Sequence, residues 1–166
     1  MEEAVDNRFA ELERRIAALE SSTPTGVSTA VDPEVFFALD ALKERVSAPG
    51  AVLYTGSVTL PDERQIDWQY GRSTSDVLEA DWAERASALA ALGNPVRLTL
   101  LREIMHGQTT VSALSEVEGL GTSGQIYHHL RQLTAEGWLH SPSRGVFAVP
   151  PTRVVALLAI LVALER

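Results

Sequence analysis

The sequence predicts an α+β fold, mainly α with small β elements, on three observations. Apolar residues recur at alternating three- and four-residue spacings over most of the chain, the period of a helix with one buried face. The period changes to two between residues 51 and 71 and again after residue 137, which marks short strands. Helix-start chemistry stands at Asn94-Pro95 and at Thr122-Ser123-Gly124-Gln125, so helices follow one another at short range.

Five segments follow in order: a coiled-coil helix over 1–22, a linker over 23–31, a helix plus β-hairpin extension over 32–80, a three-helix unit with a terminal strand pair over 81–149, and a C-terminal helix over 150–166. In the first segment Val5, Phe9, Leu12, Ile16 and Leu19 repeat as a heptad. Phe9 and Ile16 fall at a, the others at d. Arg8 and Arg15 then face Glu13 and Glu20 of a parallel partner, so the charges favour a parallel homodimer through Phe9, Leu12, Ile16 and Leu19. The same pattern also suits an amphipathic helix packed on its own domain. The small polar run with Pro24 and Gly26 reads as a flexible linker.

Asp32-Pro33-Glu34 reads as a helix start, with Asp as N-cap and Pro at the first helical position. Val35, Phe36, Leu39, Leu42 and Val46 form its stripe, and Pro49-Gly50 ends it. Val52, Tyr54, Val58 and Leu60 then alternate, as do Ile66, Trp68 and Tyr70 beyond a turn at 61–64. This is a hairpin with an aromatic face, read as core, with a small apolar effector as the rarer use of such a stripe. The pair is too small to stand alone and must pack on a partner subunit or on the downstream domain.

Asp81 and Glu84 bracket a capping box, with Trp82, Ala86, Leu89 and Ala90 expected inward. After Gly93, Asn94 caps a helix whose stripe is Leu98, Leu101, Ile104 and Met105; Val111, Leu114 and Val117 follow on a short one. Gly119 and Gly121 permit a tight turn. Thr122 and Gln125 form a second capping box, and the helix it opens buries Ile126, Leu130 and Leu133. Ser123, Gly124, Gln125, Tyr127, His128 and Arg131 are left on its exposed and flanking faces. Trp138-Leu139-His140 and Val146 to Val149 are expected to pair across Ser141–Gly145, with Arg144 at the tip.

Helix, helix, polar-faced helix and strand pair is the layout of a winged helix-turn-helix, in which the last helix lies in the DNA major groove. Thr122, Ser123, Gln125, Tyr127, His128, Arg131 and Arg144 are the expected DNA-binding residues. Gln suits adenine, Arg suits guanine, and Tyr or Ser suits a phosphate or a thymine methyl. The final helix is apolar almost all round. A two-fold dimer through Val154, Leu157, Leu158 and Leu161 would cover it and set two reading helices about 34 Å apart.

Residues 82–149 resemble the ArsR-type winged helix-turn-helix regulators. The likeness rests on Leu92-Gly93-Asn94-Pro95-Val96-Arg97-Leu98, on Gln125-Ile126-Tyr127-His128-His129-Leu130-Arg131-Gln132-Leu133 and on Glu136-Gly137-Trp138-Leu139. It implies a homodimeric bacterial regulator on a palindromic operator, with Ser123, Gln125, Tyr127, His128 and Arg131 facing DNA and His129 structural. Many family members hold metal through cysteines before the reading helix, or through His and acidic residues on the last helix. This chain has no cysteine, and its last helix has neither His nor Asp, so that chemistry does not carry over. Tyr127 stands where the family usually has a small residue.

Charge and composition narrow the rest. The net charge is −8. Residues 1–81 carry 16 acidic and 7 basic side chains, whereas 82–149 carry five of each. A neutral reading head attracts phosphate weakly, so affinity is expected from dimer geometry and direct contacts. The longest apolar run, Val154–Leu164, has 11 residues, against about 20 for a bilayer span. With a polar N-terminus and no cysteine, a cytoplasmic protein without membrane contact is expected. No metalloprotease, phosphate-loop or dinucleotide motif occurs, and His128 and His129 project about 100° apart on a helix. No catalysis, metal or cofactor is expected; the expected partners are double-stranded DNA and a second copy. The alternative is a protein–protein adaptor or scaffold that uses the winged helix, the coiled coil and the acidic N-terminal part, without specific DNA binding.

Overall fold

The structure is a computed structural model that describes residues 14–15 and 36–165. The heptad positions Phe9, Leu12, Ile16 and Leu19, the linker and the Asp32-Pro33 helix start lie outside the described residues. The chain divides into two compact units, residues 1–44 and 45–166. In the first, α1 spans Phe37–Lys43 and buries none of its residues. It stops short of Val46, where the sequence stripe was expected to continue. Pro49 disfavours helical backbone at the residue before it, and the chain leaves the helix about a turn earlier.

The second unit opens on a regular antiparallel ribbon. β1 (Ala51–Thr59) pairs residue for residue with β2 (Gln65–Ser73), from Ala51↔Ser73 to Thr59↔Gln65. Its turn closes through Leu60 N–H to Arg64 O at 3.0 Å and Glu63 N–H to Leu60 O at 2.9 Å. Glu63 sits at φ 64°, while the Arg64 guanidinium donates to Asp62 Oδ2 at 2.6 Å and lowers that carboxyl below its ordinary pKa. Along the expected face, Leu60 and Ile66 are buried and Tyr54, Val58 and Trp68 are partly so. Val52 and Tyr70, at the open end, remain 61% and 50% exposed. The alternation is therefore right in phase, but the cover ends at Tyr54 and Trp68.

The cover is the chain's own last helix, α7 (Pro151–Ala163). Gly56 makes the approach close: a Cβ there would lie 2.8 Å from Val155 Cγ1. Between ribbon and final helix come α2 (Thr74–Glu79), a 3-10 turn (Trp82–Arg85), α3 (Ala86–Leu92), α4 (Pro95–Met105), α5 (Val111–Ser115), α6 (Ser123–Ala135) and a second hairpin, β3 (His140–Ser143) with β4 (Val146–Ala148). Ser73 caps α2 by accepting from Asp76 N–H at 3.1 Å.

Trp82, Ala86, Leu89 and Ala90 do not face inward as expected. Trp82 is 61% and Leu89 58% exposed, and α3 instead buries Ala91 and Leu92. Asp81 caps a 3-10 turn, not an α-helix. A 3-10 turn advances about 120° per residue against 100° in an α-helix, so a phase carried from Trp82 into α3 is wrong. The sequence stripe of α4 gains Leu100, which is wholly buried. One core runs from Leu60 and Ile66 of the ribbon through Leu101, Leu114, Ile126 and Leu130 to Val154 and Leu157. Among the described residues no helix is long and apolar enough to cross a membrane.

Candidate nucleic-acid interface

The site is assembled from α5, α6 and the second hairpin. Asn94 accepts from Arg97 N–H at 3.1 Å and starts α4. Thr110 accepts from Ala113 N–H at 3.2 Å and starts α5. A turn with Gly119 at φ 85° and Gly121 at φ 84° then reverses the chain. These angles cost an L side chain about 1–2 kcal/mol. At the start of α6 the capping box is complete. Thr122 N–H donates to Gln125 Oε1 at 2.8 Å, and Gln125 N–H to Thr122 Oγ1 at 3.4 Å.

The two faces of α6 are sharply divided. Ile126, Leu130 and Leu133 are 0% exposed. Burying each is worth about 1.5–3 kcal/mol, which fixes the helix's rotation. Rotation then leaves Thr122, Ser123, Gly124, Gln125, Tyr127, His128 and Arg131 outside, all exposed. Tyr127 is 44% exposed despite its size. Ser123 Oγ lies 3.2 Å from Ser115 Oγ, joining α6 to α5. Gln125 is committed to its own cap. Arg131 and Arg144 have no hydrogen bond or ion pair among the described residues.

His129 points the other way. Burial lowers its pKa below the usual imidazole range, and the positive charge of Arg97 and the neighbouring His128 push in the same direction; a hydrogen bond with Gln132 opposes them. Its Nδ1 has no partner among the described residues. The His128 and His129 rings meet edge to face with centroids 5.6 Å apart. Among the described residues no three His, Cys, Asp or Glu side chains converge to hold a metal ion.

The second hairpin is shorter than expected. Trp138 and Leu139 are buried residues of the turn after α6, not strand residues: both N–H groups bond to Leu133 O, at 2.9 and 3.3 Å, and Gly137 stands at φ 69°. That is the helix-ending turn that glycine permits. The strands pair at His140↔Ala148 and Ser143↔Val146 with an irregularity between. Pro142 lies inside it and has no N–H to give the ladder. Ser141 Oγ instead donates to Ser143 O at 2.7 Å or Val146 O at 2.9 Å. Arg144 is exposed at the tip, beside Gly145 at φ 76°.

Two supports were not legible beforehand. Arg97 binds three places at once: Nη2 donates to Ala90 O at 2.7 Å, Nε to Ala91 O, and Nη1 to Gln132 Oε1 at 2.7 Å. It caps the carbonyl end of α3 and ties it to α6, where a cation suits the helix dipole. Its place three residues after the Asn94 cap is the signal that could have shown it. Thr109 and Thr110 hold the hairpin to the helices, through Phe147 N–H to Thr109 O at 2.8 Å and a bridge from Thr110 to Val146. Two threonines are too few to read as a strand. Trp138 Nε1 donates to Ala88 O at 2.9 Å, Ser87 Oγ to Glu136 at 2.7 Å, and the Arg153 guanidinium lies 5.0 Å over the Trp138 ring.

Of the five arginines in 82–149, Arg85 pairs with Glu84 at 3.8 Å, Arg102 with Glu103 at 2.8 Å, and Arg97 is consumed as above. Arg131 and Arg144 are left without a partner among the described residues. Of the residues expected at a dimer contact, Val154 and Leu157 are 0% and 2% exposed within one chain and serve its core; Leu158 is partly buried and Leu161 is 38% exposed. The open apolar surface of α7 is Leu161 with Val162, beyond which Leu164 is also exposed. No protein-family model, curated protein or solved structure matches this chain.

Proposed function

We infer that the protein is a sequence-specific DNA-binding transcription regulator of winged helix-turn-helix type. It acts in the cytoplasm as a homodimer on a palindromic operator. The observation that carries this is the division of α6: an apolar face wholly buried, and an exposed face of Ser123, Tyr127, His128 and Arg131. A helix of 13 residues is about 20 Å long, a length that lies along a major groove, with the Arg144 turn following it. Short hydrogen-bonding groups crowd its first two turns, where an inserted helix meets base edges. Leu161 and Val162 of α7 offer an apolar surface for the second copy.

Selection from a random duplex library followed by gel shifts tests the reading. The expected result is an enriched inverted repeat with half-sites about one helical turn apart. Loss of any sequence preference at moderate salt would overturn it.

One observation favours a second reading, an adaptor that binds protein through its acidic N-terminal part. Among the described residues Arg131 and Arg144 are the two arginines of 82–149 without a partner, so phosphate attraction is weak. A stable partner captured through residues 1–81, with no duplex affinity, would establish it.

A further inference from the structure

A hollow of about 500 Å³ opens beside the ribbon, within the second unit and away from α6. Three elements line it and leave it open on one side. Val58 and Leu60 come from the ribbon, Leu98 and Met105 from α4, and Leu157 and Leu161 from α7. The floor is dry core, since Leu60 is 7% and Leu157 2% exposed. Pockets of this size and lining take small molecules.

Polar groups gather at one side. Arg102 on α4 and His106, the residue that ends it, stand one turn apart, both on the lining. Arg102 Nε donates to Glu103 Oε1 at 2.9 Å and Nη2 lies 2.8 Å from the same oxygen in an ion pair, which leaves the Nη1 hydrogens free. The Glu103 side chain is only 16% exposed and does not line the hollow. The His106 ring has no hydrogen bond among the described residues. The Thr99 hydroxyl is turned back to Pro95 O at 3.0 Å. What the hollow offers a guest is therefore an apolar bed and, at one end, the free Nη1 hydrogens of the Arg102 guanidinium beside the His106 ring.

We propose that this hollow binds a small amphipathic carboxylate: an aliphatic body laid along Leu60, Leu98, Met105 and Leu157, and an anionic head taken by Arg102 with His106. The charge and the hydrogen bonds at the rim select the head, because an anion bound by guanidinium gains a charge-assisted bond that an alcohol lacks. This goes beyond the DNA reading and does not rest on it, since binding is read on the protein alone.

Dodecanoate bearing a photoreactive diazirine on its chain, with full-length protein, is the test. The expected result is saturable labelling of peptides that contain residues 58–61, 98–106 and 157–161, competed by dodecanoate and far less by dodecanol. Arg102→Gln should weaken dodecanoate binding about tenfold, the loss of one charge-assisted hydrogen bond, with the circular dichroism spectrum unchanged. The labelling map of the unaltered protein decides the matter even if a variant folds poorly. Labels elsewhere, no saturation, or equal competition by the alcohol would overturn the proposal. Labelling that disappears as protein concentration drives self-association would assign the hollow to a second copy instead.

Discussion

The two hairpins of this chain are built from the same element and put to opposite ends. β1–β2 runs nine residues a side with no break in register, and packs one face on α7. β3–β4 has four residues against three, a proline-centred irregularity, and no exposed-to-buried alternation: all of β3 is exposed. The first is held by what lies under it, through Leu60, Ile66 and Val155. The second is held at its root, by Thr109, Thr110 and the turn around Trp138, and its tip is free. Burial makes the first hairpin a part of the core. In the second only β4 is half-buried, with Phe147 against the core, and β3 with the Arg144 tip is left exposed.

Substitutions separate these roles. The largest effect is expected from Ile66→Ala, which empties a buried site at 8% exposure and should cost about 2–5 kcal/mol of unfolding free energy in urea titration. Gly56→Val comes next. Val155 is β-branched and 3% exposed, so it cannot turn away from the new Cβ; the overpacking should cost about 1–3 kcal/mol. A neutral result at Gly56 would mean that the ribbon and α7 part easily.

On the proposed reading side, Arg131→Ala should leave stability within about 0.5 kcal/mol. It should also remove about 1–3 kcal/mol of discrimination at one base pair in binding titrations against single-substituted operators. Arg144→Ala should change stability as little. Its expected mark is a uniform loss of affinity and a fall of about one in the salt slope, and a change confined to one base pair would show the tip to be a base reader.

The smallest effect concerns His129. Its pKa is lowered in the folded chain by burial first, so the unfolded chain takes up the proton more readily. Stability is then complete above the ordinary imidazole range and declines as the pH falls through that range and below it. Urea midpoints compared at pH about 8 and about 5.5 should show a decline that is smaller in His129→Gln. An equal decline in both proteins would trace it to other groups.

Much of this was legible in the sequence, and the rest was hidden for definite reasons. Ile126, Leu130 and Leu133 were readable because a long regular helix keeps its phase. Asn94 and Thr122 were readable because a cap is local chemistry that needs no tertiary partner. Trp82 and Leu89 misled because a 3-10 turn shifts the phase before a helix of only seven residues. Trp138 and Leu139 read as strand because a buried apolar pair looks the same whether a ladder or a helix-ending turn buries it. Val154 and Leu157 read as dimer contacts because a sequence shows that a helix needs cover without showing that the ribbon of the same chain supplies it. Arg97 had no visible task, since its three acceptors lie on two other helices.

The cap of α6 also narrows what that helix could recognise. Gln125 Oε1 receives both the N–H of Thr122 at 2.8 Å and its hydroxyl at 3.2 Å, and a side chain at Gly121 would collide with it. Only the amide hydrogens of Gln125 remain to be offered outward. Adenine asks one glutamine to give and to receive together, so meeting it would unfasten the first turn. A lone acceptor, such as the N7 of either purine, asks for nothing the cap already holds.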